Sequence, residues 1–162
     1  MIEVVPFADR HLTDNYVSWL NNPDVTKHMR HSNAVHTLKS CEDYWRGTTI
    51  HGDLMFAIEV NGAHIGNVTV VCDNLNKRCD VSILIGDSKS HGSGIGTSVF
   101  RTVISKMMGM GYHKVTAGTS VDNIGMIKVM QKADMFEDGI RKSHDLRNGK
   151  RVDVVHYAAV EP

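Results

Sequence analysis

The pattern of apolar and polar positions divides the chain into short strands and amphipathic helices. Apolar and β-branched residues that alternate with polar ones predict strands at 2–7, 54–60, 63–71, 80–85 and 115–119. Apolar residues that recur every three to four positions predict helices at 9–20, 24–29, 37–45, 97–110 and 123–133. Two tight turns, at Asn61-Gly62 and Asn148-Gly149, predict hairpins, the second of which joins two final strands. The sequence therefore predicts one mixed α/β domain over residues 1–162.

Composition limits the partners that we expect. The 18 basic and 18 acidic residues cancel, so we expect no binding of nucleic acid or of a membrane surface. No apolar run is long enough to span a bilayer, and residues 1–6 lack the pattern of a signal peptide. Three cysteines without metal-ligand spacing favour reduced thiols, a cytoplasmic location and no metal. Two of them, Cys72 and Cys79, could face each other across a hairpin.

A glycine-rich segment, His91-Gly92-Ser93-Gly94-Ile95-Gly96, separates a predicted strand from a predicted helix. The first turn of a helix leaves backbone N–H groups unpaired, and glycines let an anion approach the backbone closely. The segment lacks the Lys-Ser/Thr of the triphosphate-binding loop and the third glycine of the dinucleotide-binding pattern. It therefore predicts a site for a different phosphate-bearing ligand.

This segment resembles the Arg/Gln-x-x-Gly-x-Gly/Ala signature of the GCN5-related N-acetyltransferases (GNAT). Gly94 and Gly96 occupy its two glycine positions, and His91 stands where Arg or Gln is usual. Most of the chain follows the order of one branch, that of the RimJ/RimL ribosomal-protein and the spermidine acetyltransferases, in segments 19–25, 80–87, 123–135, 138–141 and 148–153. The resemblance implies a single-domain GNAT fold. It has a mixed sheet of about seven strands, flanking helices and a splay between strands 4 and 5.

The resemblance also implies acetyl-CoA as cosubstrate and direct transfer of its acetyl group to a primary amine. The free edge of the fourth strand would hold the pantetheine arm as an added strand would, and the glycine-rich loop would bind the pyrophosphate. The residues implied in cofactor binding are Ile83, Leu84, Ile85, His91, Gly92, Ser93, Gly94, Ile95, Gly96, Thr97, Asn123 and Lys128. Asn123 is a catalytic candidate as well. It is also suited to cap a helix, and the two roles are compatible, with contact to the arm favoured.

Asp80 is the first candidate for the general base, because it stands where this branch often carries a glutamate. Its alternative role is structural pairing with Arg78 or Lys77. Met130 lies seven residues after Asn123, where many relatives carry a tyrosine that protonates the leaving thiolate. Methionine has no proton to donate, so solvent, another side chain or the acceptor would have to supply one, or none is needed.

The resemblance implies that segments 16–36 and 141–151 shape the acceptor pocket, with Tyr16, Trp19, His28, Arg30, His31 and Arg141 as its candidate residues. Because the basic residues among these suit phosphates, a small-molecule amine such as a nucleotide-linked amino sugar is favoured. Protein amino termini and polyamines are alternative acceptors, and a non-catalytic acetyl-CoA-binding module is an alternative from another class. His28, His31 and His36 are rival bases. A homodimer is possible.

Overall fold

A computed structural model describes residues 1–29 and 34–162 and contains one mixed sheet. Its strands are β1 (Ile2–Pro6), β2 (Leu54–Val60), β3 (Ala63–Asp73), β4 (Arg78–Ile85), β5 (Lys114–Ser120), β6 (Phe136–Arg147) and β7 (Lys150–Val160). They are arranged in the order β1-β2-β3-β4-β5-β7-β6. Only β4 and β5 pair in parallel, and every other neighbouring pair is antiparallel.

Among residues 1–29 and 34–162, five helices cover the two faces of this sheet: α1 (Asp14–Leu20), α2 (Pro23–Thr26), α3 (Leu38–Ile50), α4 (Ile95–Gly109) and α5 (Ile124–Lys132). Apolar residues of α4 and α5 form the larger core with one face of the sheet. The smaller core lies around Tyr16 and Trp19 of α1 and Cys41 of α3. Both cores reach β4, because alternate residues of a strand point to opposite faces. No helix of the described chain is long and apolar enough to cross a membrane.

The predicted helix over 9–20 is wrong in its continuity. Residues Asp9–His11 form a single 3₁₀ turn, and α1 begins only at Asp14. The His11 ring accepts the Ala8 N–H through Nδ1 at 2.9 Å, which binds the first turn to a buried side chain. Thr13 then starts a new helix, because its hydroxyl accepts the N–H of Tyr16 at 3.2 Å.

The two predicted hairpin turns are confirmed. Asn61 and Gly62 have φ values of 51° and 79°, and Asn148 and Gly149 have 47° and 74°. Positive φ at both central positions is the turn geometry that matches the twist of paired strands. The second turn makes a long β6–β7 hairpin, whose outer strand is the exposed edge of the sheet.

The splay between β4 and β5 is the feature that positions the site. The two strands pair only at Arg78↔Lys114, Cys79↔Val115 and Asp80↔Thr116. Beyond Thr116, β5 remains paired with β7, while β4 continues to Ile85 beside β3. The edge of β4 that faces β5 is therefore open after Asp80.

Candidate active site

Asp80 lies at the apex of the splay, on the last residue pair that joins β4 to β5. Its Oδ1 accepts a hydrogen bond from the Thr116 hydroxyl at 2.6 Å. The same hydroxyl lies 3.3 Å from the carbonyl oxygen of Cys79. No ion pair joins Asp80 to Arg78 or Lys77 among the described residues, so its carboxylate is oriented by a neutral donor.

Above the apex, alternate residues of β4 direct their backbone groups into the splay. Gly86 donates its N–H to Ile65 of β3 at 2.9 Å, which fixes the residues of β4 that bond to β3. Hydrogen bonding to β3 alternates along β4, so Leu84, two residues before Gly86, also bonds to β3. The backbone groups of Ile83 and Ile85 therefore face the opening. Two of the three predicted backbones thus reach the open edge, and the backbone of Leu84 does not.

The glycine-rich loop ends in the first turn of α4. Gly94 is the residue that precedes this helix, with φ of 84°, and no side chain caps the helix end. Ser98 is the first residue whose N–H bonds back, to the Gly94 carbonyl at 3.1 Å, so the N–H groups of 95–97 point outward. A Cβ built on Gly92 or on Gly94 would meet nothing within 4 Å. The loop therefore offers donors in front of open space.

His91 contacts the protein rather than open solvent alone. Its Nε2 lies 2.9 Å from the Ile85 carbonyl, so the ring donates to the end of β4 and occupies one acceptor of the open edge. Gly96 faces α5 instead of the opening, because a Cβ there would lie 3.4 Å from both methyl groups of Val129. The loop histidine and the second signature glycine thus hold the loop against the fold.

The α5 candidates divide between a helix cap, the surface and the core. Asn123 caps the helix through Oδ1, which accepts the Met126 N–H at 3.3 Å, and its Nδ2 donates to the Thr119 hydroxyl at 3.0 Å. Lys128 is exposed. Met130 is fully buried in the larger core, where it cannot act as an acid.

A cleft of about 690 Å³ opens beside the apex, between β4, β5 and the β6–β7 hairpin. Its charged and polar lining includes Arg78, Asp80, Lys114, Thr116, Asp138, Arg141 and His156. Lys114 pairs with Asp138 at 2.6 Å. Arg78 pairs with Asp73, whose pKa falls to about 2 because Asn76 and then Arg78 bond to its carboxylate. Arg141 forms no hydrogen bond or ion pair within the described part of the chain.

The other predicted acceptor residues do not gather in this cleft. Tyr16 and Trp19 are only 3% and 6% exposed, and they pack in the core beneath α1. His36 makes two backbone hydrogen bonds with the Asn21 amide, which place it beside α1. Arg30 and His31 lie outside the described residues.

His28 belongs to a polar cluster that the sequence did not reveal. Arg147, near the tip of the β6–β7 hairpin, donates to the Ser120 hydroxyl at 2.8 Å and to the His28 carbonyl at 2.7 Å. The Ser120 hydroxyl and Arg147 also lie 3.3 Å from Nδ1 of His28. The Arg147 side chain is only 11% exposed. We call His28, Ser120, Asp122 and Arg147 the hairpin clamp, because they tie the hairpin to the segment after α2 and to the end of β5.

Burial within the hairpin clamp favours a neutral imidazole at His28. Burial lowers the pKa of His28, and the charges of Arg147 and Lys27 lower it further, against the opposing effect of Asp122. The Ser120 hydroxyl lowers the pKa of Asp122, whose carboxylate lies 3.8 Å from Nδ1 of His28. Because the Arg147 guanidinium faces Nδ1 and can only donate, that nitrogen accepts and the ring proton resides on Nε2.

The sequence predicted His28 of the hairpin clamp but none of its three partners. The site residues that sequence reasoning missed are Thr116, Lys114, His156, Ser120, Asp122 and Arg147. Asp80 and Thr116 are far apart in the sequence, and no local pattern predicts that β4 and β5 pair in parallel at these two residues. Arg147 and His28 are separated by 119 residues, so no local pattern joins them. Within the described residues, no three potential metal ligands come together.

Solved structures share this fold at low sequence identity. The spermidine N-acetyltransferase from Vibrio cholerae, in complex with CoA and spermine, matches with a TM-score of 0.87 and 15% identity, over 98% of this chain and 95% of that one. The ribosomal-protein-alanine N-acetyltransferase from Brucella melitensis matches with a TM-score of 0.82 and 16% identity, over 99% of both chains. The microcin C7 self-immunity acetyltransferase MccE, in complex with acetyl-CoA and AMP, matches with a TM-score of 0.87 and 18% identity, over 99% of this chain and 92% of that one.

These matches confirm the predicted GNAT fold, with its seven-stranded mixed sheet and its splay between the fourth and fifth strands. No curated protein sequence matches the chain significantly. The family model described as "Acetyltransferase (GNAT) domain" matches residues 2–135, which is most of the chain. The chain is therefore an acyltransferase of the GNAT acetyltransferase family.

Proposed function

We propose that this protein transfers an acetyl group from acetyl-CoA to the primary amine of a small molecule that carries phosphate, such as a nucleotide-linked amino sugar. The observation that carries the proposal is that one cleft is lined by both a carboxylate and, within the described chain, a free cation. Asp80 at the apex offers a carboxylate, and Arg141 offers a cation without a partner in the described chain.

The residues present fit acetyl-CoA. The outward N–H groups of α4 and the open space at Gly92 and Gly94 suit a pyrophosphate. The outward N–H and C=O of Ile83 and the outward N–H of Ile85 suit the amides of a pantetheine arm. When bound, acetyl-CoA supplies the acetyl group as a thioester. Asp80 would take a proton from the attacking amine, and an N–H of the open β4 edge would polarise the thioester carbonyl.

The charge distribution favours a phosphate-bearing acceptor over a polyamine. A polyamine needs several available carboxylates, but Lys114 neutralises Asp138 and Arg78 neutralises Asp73. Arginine binds phosphate through paired, charge-assisted hydrogen bonds. Among the structural relatives, MccE was solved with AMP and the Vibrio cholerae enzyme with spermine, so both chemistries occur on this fold.

The test is an acceptor panel that follows release of the CoA thiol. It compares nucleotide-linked amino sugars, the same free amino sugars, spermidine and peptides with free amino termini. We expect the highest kcat/KM for the nucleotide-linked sugars. Binding of acetyl-CoA without thiol release for any amine would refute the enzyme and leave a binding module. A preference for spermidine or for peptides would refute the acceptor class.

Arg141→Gln tests the proposed phosphate contact separately from acetyl transfer itself. Losing a charge-assisted hydrogen bond of about 1.5–3 kcal/mol should lower kcat/KM for a nucleotide-linked sugar by about 10- to 100-fold. Activity on the free sugar should change little. Arg151→Gln, an exposed arginine on the same hairpin, is the matched control. Equal losses on both sugars would contradict a phosphate contact at Arg141.

A further inference from the structure

Two cysteines face each other directly across the β3–β4 hairpin. Cys72 of β3 and Cys79 of β4 are register partners, and both are free thiols. Cys79 immediately precedes Asp80 in the sequence. Cys79 is 3% exposed and Cys72 is half-buried. The third cysteine, Cys41, is fully buried in the other core, beneath α1. The pair is therefore separated from the remaining thiol by the sheet.

The hydrogen bonds around the pair identify its geometry. The Cys72 N–H donates to Oδ1 of Asp53 at 2.8 Å and so points away from β4. The Cys79 carbonyl lies 3.3 Å from the Thr116 hydroxyl of β5 and so points away from β3. Cys72 and Cys79 are thus a non-hydrogen-bonded antiparallel pair, in which Cα atoms lie about 4.5 Å apart. That separation is within the range that disulfides span.

We propose that Cys72 and Cys79 form a dithiol site that undergoes exchange with low-molecular-weight disulfides and closes to an intramolecular disulfide. This inference is independent of the proposed acetyl acceptor.

The exchange takes place in two balanced steps. The Cys72 thiolate attacks one sulfur of the small disulfide, which forms a mixed disulfide and releases one small thiol. Cys79 then loses its proton and attacks the Cys72 sulfur, which releases the second small thiol. Two protein thiols are oxidised, and one small disulfide is reduced to two thiols. We assign the first attack to Cys72 because it is the more accessible of the two.

The second step, the attack of Cys79 on the mixed disulfide, is the rate-limiting one. Burial, with smaller contributions from Cys72 and Asp80, raises the pKa of Cys79 to about 12. Little thiolate is therefore present at neutral pH, and ring closure should accelerate as the pH rises.

The experiment treats the folded, reduced protein with oxidised glutathione and then measures free thiols and intact mass. We expect the three thiols to fall to one, with loss of the mass of two hydrogen atoms and a crosslink between the peptides that contain Cys72 and Cys79. Reduction should restore all three thiols. A folded protein that keeps three thiols, or a crosslink that includes Cys41, would overturn the proposal.

Single variants test the order of the steps. Cys79→Ser should stop at the mixed disulfide and gain the mass of one glutathione less two hydrogen atoms. Cys72→Ser should gain nothing. Cys41→Ser is the matched control and should still close the disulfide. Because Cys79 is buried, Cys79→Ala provides a second variant if the serine prevents folding. Closure in either Cys79 variant would refute the assignment of the second sulfur.

Discussion

Arg147→Ala should weaken both the fold and the acceptor site, because the guanidinium joins the β6–β7 hairpin to β5 and to the segment after α2. It forms two short hydrogen bonds, of 2.7 and 2.8 Å, to His28 and Ser120. Hydrogen bonds to charged groups contribute about 1.5–3 kcal/mol each. Part of that sum is offset by the cost of burying the guanidinium, which alanine removes. We therefore expect a net loss of about 2–3 kcal/mol.

In a domain of this size, that loss corresponds to a fall in Tm of about 5–10 °C. The displaced hairpin should raise KM for the acceptor while the Kd for acetyl-CoA is unchanged, because the cofactor groups lie on β4 and α4. Calorimetry and steady-state kinetics measure the two effects. Arg147→Lys retains the charge without the forked geometry and should recover only part of the stability. The exposed Arg151→Ala should change neither quantity.

The pKa of His28 gives a readout that general destabilisation does not. Burial and the charge of Arg147 lower that pKa, and Asp122 opposes them, so Arg147→Ala should raise it. A lowered pKa means that the unfolded chain takes up the proton first, so wild-type stability should decline as the pH falls below about 6.5. The variant should show less of this decline. An unchanged His28 titration by NMR, together with an unchanged Tm, would refute the clamp.

Three further substitutions test the cofactor loop, the base and the core. Gly94→Asp should reduce acetyl-CoA affinity at least 10-fold, because it places a carboxylate at the pyrophosphate site; Gly111→Asp, at a second left-handed glycine remote from the loop, is the control for backbone strain. Asp80→Asn should abolish most turnover at neutral pH and recover part of it at high pH, where the amine deprotonates itself, and parallel pH profiles would assign the carboxylate a structural role. Gly86→Ala should lower stability by about 3 kcal/mol in thermal unfolding, because its Cβ would lie 1.9 Å from the tryptophan ring of α1. Gly47→Ala meets no atom within 4 Å and should be neutral or slightly stabilising, and equal Tm values for the two alanine variants would contradict the packing argument.

The sequence predicted elements better than it predicted where side chains meet. Hairpin turns are encoded locally, since Asn61-Gly62 has the residues that a two-residue turn requires. The break before α1 was missed because the capping Thr13 lies inside a continuous apolar pattern, and because the buried His11 closes the preceding turn with the Ala8 N–H. Apolar periodicity reports which face is buried, but it does not report such a competing hydrogen bond.

The candidate site was predictable where it depends on backbone, and less so where it depends on long-range contact. The glycine loop and the open β4 edge follow from local pattern and family order. The aromatic residues Tyr16 and Trp19 were predicted to line the acceptor pocket, but α1 packs them into the core. Arg147 reaches His28 only through the complete sheet, because α5 and the length of β6 lie between β5 and Arg147. Such a contact has no local signature.

Met130 shows why a missing acid is compatible with acetyl transfer on this scaffold. Its side chain is completely buried in the core, so the position contributes packing and no proton. A free thiol has a pKa of about 8.5, which makes the thiolate only about 2 kcal/mol less stable than the thiol at pH 7. A departing amine or alkoxide is far more basic and would need an acid. The proton on the attacking amine needs a base, and that is the role we propose for the carboxylate of Asp80 at the apex.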